Sequence, residues 1–394
     1  MSSSSQADVF RQYMQREPKG HYSLVVPEGR YKGWVPRCLY EMSCTKVSLP
    51  FLKLLSFPVG GSSLGSLVEM EVFNAVGNYL TRLPEAFGKC QQLYDLNLSY
   101  NHIERIPSPI FKLTNLAVLD LAENEITELS PAVGNLKNLK VLNLSGNLLD
   151  DLPSELRYCD KLEKLDLSRK WYPKGGFTVL PEAVCYLTGL VYLDVSWHQI
   201  STITEDIRNM SKLKVLRMKG NYLKYVSETI SECKALQFLD LTGAMKLNSY
   251  IPPELFTLPE LHTLDLTNNY FTEISSEIVN LKKLKKLIVR RNALLRIPDE
   301  IFKMENLEAI DFSENYLEAI PDSISELHTL KQVHLSCNKI RTLPEGICEC
   351  VSLQELQLHY NQLEELPDNI YKLENLEELM LEGKALTYVL FYVI

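Results

Sequence analysis

The chain has 394 residues, of which 45% are hydrophobic and 23% charged, with 17 Gly and 19 Pro. Its length suits two or three average domains, and its make-up is that of a soluble globular protein, which excludes a disordered or collagenous chain. A formal net charge of −9 at pH 7 leaves no general basic surface, so nonspecific binding to nucleic acid or to an anionic membrane is excluded. Of 67 leucines, 59 lie from position 70 onward. Leucine that uneven calls for a search for internal repeats before any domain is cut.

In chain order, residues 1–69 do not repeat. The opening Met1-Ser-Ser-Ser-Ser-Gln lacks the basic start and apolar stretch of a secretion signal, and Ser2 excludes myristoylation. Ser2–Ser5 is expected to be disordered, and Phe10, Tyr13 and Met14 to share one face of a short helix. The apolar stretch Val47–Phe73 is broken by Pro50, Lys53, Pro58, Gly60 and Gly61, so no membrane span is expected there. Gly60-Gly61-Ser62-Ser63-Leu64-Gly65-Ser66 has the spacing of a phosphate loop but Ser66 where the lysine belongs, and it reads as a link. The segment as a whole is expected to cap the first repeat.

From Met70 a 23-residue unit of form LxxLxLxxNxLxxLPxxIxxLxx begins, as in Leu93, Leu96, Leu98, Asn101, Ile103, Ile106, Pro107, Ile110 and Leu113. Thirteen such units fill residues 70–375, and a fourteenth, cut short, occupies 376–394. The LxL alternation predicts a short strand with one face buried, and successive strands pointing the same way predict one parallel sheet with ~4.8 Å between rungs. Position 9 is Asn in ten of the thirteen units, and its buried amide can bond the backbone of neighbouring turns. Position 15 is Pro in nine and Ser or Thr in the other four, which predicts a short outer helix with Pro as first residue or Ser/Thr as cap.

Two units are longer, those starting at Leu162 (28 residues) and Leu236 (25). The first insertion, Lys170-Trp171-Tyr172-Pro173-Lys174-Gly175-Gly176, makes Trp171 and Tyr172 a candidate contact loop. The last residues, Val389-Leu-Phe-Tyr-Val-Ile394, are uncharged and β-prone, and read as a truncated repeat rather than a designed terminus.

These residues resemble leucine-rich repeat proteins, specifically the intracellular Ras-group type with LPxxIxxL in the second half of the unit. That group includes the Shoc-type scaffolds, the Ras suppressor protein and the Scribble and Erbin amino-terminal regions. The resemblance covers residue 70 onward. It implies an α/β solenoid, a horseshoe with a parallel concave sheet and short helical or 3-10 segments on the convex side. It also implies protein–protein recognition as a scaffold or adaptor in signal transduction, with an intracellular partner such as a small GTPase or phosphatase. The alternative is a recognition or sensor module of a longer kinase, ubiquitin ligase or polarity protein. No residue-by-residue contact follows: Lys46-Val47-Ser48-Leu49 lacks the aromatic of a phosphatase-docking motif.

No catalytic constellation is present, and no cofactor is expected. Nine Cys without a secreted-framework spacing suit a reduced, cytoplasmic setting. Cys90, Cys159, Cys233 and Cys350 fall at position 21, where other units have Leu or Met, and so read as core residues. His334, Cys337 and His359 share adjacent rungs without a fixed fourth metal ligand.

Concave side chains come from positions 3, 5, 7 and 8. Position 5 gives a polar ladder that includes Asp240 and Asp265, the reading for which is a solvated acidic face. Aromatic and basic residues interrupt it: Tyr192 and Trp197, then Arg217 and Lys219, then Lys286, Arg290 and Arg291. Large rings and guanidinium groups dominate protein interfaces, so these residues are the expected partner-binding site.

Overall fold

The computed structural model describes residues 12–17, 22–27, 43–57, 64–170 and 175–381. The chain divides into two units, Met1–Gln199 and Ile200–Ile394.

In the first unit, Met14–Arg16 pairs antiparallel with Tyr22–Val25. From there every added strand is parallel: Cys44–Ser48, Val72–Asn74, Asp95–Asn97, Val118–Asp120, Val141–Asn143, Lys164–Asp166 and Tyr192–Asp194. Tyr13 and Met14 lie in or beside strand rather than on a helix; Phe10 lies outside the described residues. In the second unit Val215–Arg217, Phe238–Asp240, Thr263–Asp265, Lys286–Ile288, Ala309–Asp311, Gln332–His334, Glu355–Gln357 and Glu378–Met380 form a parallel sheet. A smaller parallel sheet joins Thr202–Ile203, Leu223–Val226 and Met245–Tyr250. Register within each main sheet follows the repeat, so like positions face each other, as in Leu96↔Leu119 and Leu264↔Leu287.

The periodic leucines make the core. Leu93, Leu96, Leu98, Leu113 and Leu116 have no exposed surface, and the same positions are buried in repeat after repeat. Each Asn of position 9 ties three segments together. Asn101 Nδ2 donates to the carbonyls of Leu98 and, one repeat back, Ala75, both at 3.0 Å, while its Oδ1 accepts the Leu80 N–H at 2.9 Å. The bend is thus satisfied without water, as a buried backbone requires.

Among the described residues most outer segments are five-residue 3-10 turns, such as Glu85–Lys89 and Asp299–Lys303, while Glu182–Cys185 is a short α-helix. Pro sits one place earlier than the sequence suggests. Pro84, Pro153, Pro298, Pro321 and Pro344 are caps with extended ψ rather than first helical residues. A cap needs only its carbonyl, and the Pro84 and Pro107 carbonyls accept the Phe87 and Ile110 N–H groups at 2.9 and 3.0 Å. The ring's fixed φ therefore suits the cap, and no donor is lost. Ser130, Ser227 and Ser275 cap through their side chains, while Thr204 makes no such bond.

Candidate protein-binding face

The strand face is shaped by two local devices that act in series. At position 5, an Asn or Asp Oδ1 accepts the N–H two residues on: Asn97 from Ser99 (2.9 Å), Asp166 from Ser168 (3.0 Å), Asp240 from Thr242 and Asp265 from Thr267 (both 2.9 Å). The carboxylates of Asp240 and Asp265 are thus half-buried turn-formers, a bond that short polar side chains make readily. At position 8 the chain then enters the left-handed region. Tyr100, Glu123, Trp197, Asn268, Arg291, Glu314, Cys337 and Tyr360 have φ from 55° to 64°, and Gly77, Gly146, Gly220 and Gly243 do the same. A side chain there is strained by roughly 1–2 kcal/mol, yet eight of these twelve positions carry one.

In the first unit Tyr192 is half-buried; its hydroxyl lies 3.4 Å from Asp194 Oδ2, and Lys164 Nζ sits 4.9 Å from the ring centroid. Trp197 is half-buried at a left-handed position. Trp171 and Tyr172 lie outside the described residues.

In the second unit the Arg217 guanidinium lies 5.3 Å from the Phe238 ring centroid, and Lys219 is half-buried. Lys286, Arg290 and Arg291 are exposed on one rung. Arg290 gives Nε and Nη2 to Glu314 Oε1 on the next rung, at 2.8 and 2.5 Å, and that bond holds its charge on more firmly. Arg291 Nε stands 4.0 Å from Glu314 Oε2. Nearby, Lys285 and Lys331 both grip Glu308, at 2.8 and 2.9 Å, and hold its carboxyl down to about 2. Glu308 offsets one of the two lysine charges and ties both side chains down, whereas Lys286 on the neighbouring strand is exposed.

Sequence reasoning missed a buried cluster in the first unit. His198 occupies an Asn position: its Nδ1 accepts the Phe177 N–H at 3.2 Å and its Nε2 donates to the Leu167 carbonyl at 2.8 Å. The Phe177 ring stacks on it at 4.3 Å, and burial pushes its pKa down to about 4. Arg169, also buried, pairs with Asp150 at 3.2 Å, and Asp150 Oδ1 accepts the Gly176 N–H at 2.5 Å. These contacts close the 28-residue repeat around its insertion.

Cys90, Cys159, Cys233 and Cys350 are buried, and each thiol lies 3.3 Å from a backbone carbonyl 26 residues earlier in the chain. Burial raises these thiols to about 12, 11, 12 and 12. His334 Nε2 faces Glu355 Oε2 at 3.3 Å and His359 Nδ1 meets Ser336 Oγ at 2.9 Å. Among the described residues no group of three His, Cys, Asp or Glu side chains could hold a metal ion, and no helix is long and apolar enough to cross a membrane.

Comparison with known proteins agrees with this repeat geometry. A profile described as "Leucine rich repeat" matches residues 91–134, 114–169, 282–340 and 328–386, and a second of the same description matches 260–281. The structure of a leucine-rich repeat protein from Leptospira interrogans is 30% identical, covers 86% of this chain and 90% of its own, and superposes with a TM-score of 0.78. A TDR receptor is 27% identical over 90% of this chain and 66% of its own, TM-score 0.63. The plant peptide hormone receptor RGFR1 in complex with RGF2 is 25% identical over 94% and 71%, TM-score 0.53. Adenylate cyclase of Schizosaccharomyces pombe is 34% identical over 97 residues, which are 25% of this chain and 6% of that enzyme. Leucine-rich repeats are typically non-enzymatic interaction modules, and this chain belongs to the leucine-rich repeat family.

Proposed function

We propose that the chain is a non-enzymatic scaffold or adaptor of the Ras-group type, acting in intracellular signal transduction and binding a protein partner on its strand face. The observation that carries this is the rung of Lys286, Arg290 and Arg291, exposed on a face whose position-5 carboxylates are already occupied by backbone N–H groups. Arg290 and Arg291 share the one carboxylate of Glu314, so the rung keeps an excess of positive charge, with Lys286 its exposed cation outside that cluster, for an acidic partner surface to meet. In the first unit Tyr192 and Trp197 supply the rings that interfaces favour. A small GTPase or a phosphatase is the partner class proposed, and the free, buried cysteines suit a reducing cytoplasm.

Affinity capture tests this with the wild type and two strand-face variants, Tyr192→Ala/Trp197→Ala and Lys286→Glu/Arg291→Glu. Signalling proteins retained by the wild type and lost with either variant support the reading. If every captured protein survives both variants, strand-face binding is wrong.

A second reading has one observation in its favour: the match to adenylate cyclase occupies 6% of that long enzyme. On that reading the chain is the recognition or sensor module of a larger multidomain protein. Sequencing of full-length transcripts decides it by the presence or absence of a downstream effector region.

A further inference from the structure

On the outer side of the second unit, away from the strand face, the loops of the repeats that start at Leu261 and Leu284 part to leave a groove of ≈ 750 Å³. That volume lies within the ~300–1,000 Å³ usual for ligand clefts. Apolar side chains make up about half of its exposed lining: Ile251, Phe256, Leu266, Phe271, Ile274 and Ile297. Phe256, Leu266, Ile274 and Ile297 are buried, but Phe271 is only half so. Beside the groove residues, Tyr270 and Leu295 are 60% and 64% exposed.

The rim is acidic. Glu273, Glu277, Asp299 and Glu300 face one cation, Arg296. Two of the carboxylates are occupied, Asp299 by the Ser323 hydroxyl at 2.7 Å and Glu277 by that of Ser275 at 3.1 Å. Glu273 and Glu300 have no ion-pair partner among the described residues. A part-apolar trough beside two carboxylates without an ion-pair partner selects by charge as well as by shape. We propose that this groove is a second docking site, for a short segment of a partner protein in which apolar side chains are flanked by lysine or arginine. The apolar side chains cover Ile251 and Phe271, and the flanking cations reach Glu273 and Glu300.

The test uses the full chain and two dye-labelled peptides of about eight residues. One alternates lysine with leucine and phenylalanine; the other has glutamate in place of lysine. Fluorescence anisotropy gives affinity, and hydrogen exchange locates the contact. The basic peptide is expected to bind the wild type and to slow exchange at residues 271–277 and 296–300. Glu273→Lys/Glu300→Lys should weaken it roughly tenfold or more, as loss of two close charge pairs implies. Glu374→Lys/Glu377→Lys, the same charge change at exposed positions three repeats or more beyond the groove in this unit, should weaken it far less. Equal binding of the glutamate peptide, equal loss in both double variants, or protection at strand Lys286–Ile288 instead of the groove would each overturn the proposal.

Discussion

Phe177 donates its backbone N–H to His198 Nδ1 at 3.2 Å, in the place where other repeats offer an asparagine oxygen. An imidazole can do this only while Nδ1 is unprotonated, with the single ring proton on Nε2 facing the Leu167 carbonyl at 2.8 Å. The bond therefore carries a pH requirement that no asparagine rung shares.

Burial lowers the pKa of His198 from 6.5 to about 4. The unfolded chain then binds a proton that the folded chain refuses, so stability falls as pH drops from 6.5 toward 4. At about 1.4 kcal/mol per pH unit the loss is on the order of 3 kcal/mol. Urea unfolding at pH 7 and pH 4 should show wild type losing that much more than His198→Asn, whose amide does not titrate. Equal losses would show that His198 is not held neutral.

Asparagine deletion should depend on burial. Asn124 Oδ1 accepts from Ile103 N at 3.0 Å, and its Nδ2 donates to Leu98 and Leu121 at 3.0 Å. Asn124→Ala leaves the buried Ile103 N–H unpaired, while the Leu98 and Leu121 carbonyls keep Asn101 and Asn147 as donors, so a loss of about 1–3 kcal/mol is expected. Asn361 makes the same pattern of bonds but is half-buried, and water can replace its amide. Asn361→Ala should cost less than half as much by urea denaturation.

Tyr100, at φ 55° and 58% exposed, offers a cleaner test of backbone strain. Glycine removes roughly 1–2 kcal/mol of left-handed strain and returns about 0.5–1 kcal/mol in unfolded-chain entropy. Tyr100→Gly should therefore stabilise by about 0.5–1 kcal/mol, and Tyr100→Val should destabilise, both read from chemical denaturation midpoints.

Thiol labelling should be selective. Cys337 is half-buried on the strand face, while burial holds the thiols of Cys90, Cys159, Cys233 and Cys350 near 11 to 12. Since the thiolate is the nucleophile, iodoacetamide at pH 8 should modify Cys337 well before these four, as followed by peptide mass spectrometry. Comparable rates would mean that the core opens readily.

Much of the fold was legible because it is periodic. The buried leucines, parallel register and asparagine bonds all repeat, so each unit corroborates the next. What escaped was aperiodic or dependent on side-chain direction. Strand Cys44–Ser48 adds a rung that the pattern does not reveal, because Leu52 stands where an asparagine would mark it; Asn78 nonetheless bonds Leu52 N at 3.0 Å. His198 replaces an amide by a ring of different composition, so only geometry discloses the equivalence. The pairing of Arg290 with Glu314 crosses 24 residues and depends on rotamers. The acidic ladder could have been read better. An Asp or Asn followed two residues later by Ser or Thr, as in Asp166/Ser168 and Asp240/Thr242, is the signature of a side chain that bonds its own backbone.

The asparagine bonds also give the stack a direction in time. Leu80 N waits for Asn101, Ile103 N for Asn124 and Ile126 N for Asn147, always 21 residues further along. A rung emerging from the ribosome is thus incomplete until the following one has been made, which at ~5–20 residues per second takes about 1–4 seconds. Within each unit, folding trails synthesis by one repeat, and the newest turn is always the one whose backbone still faces water.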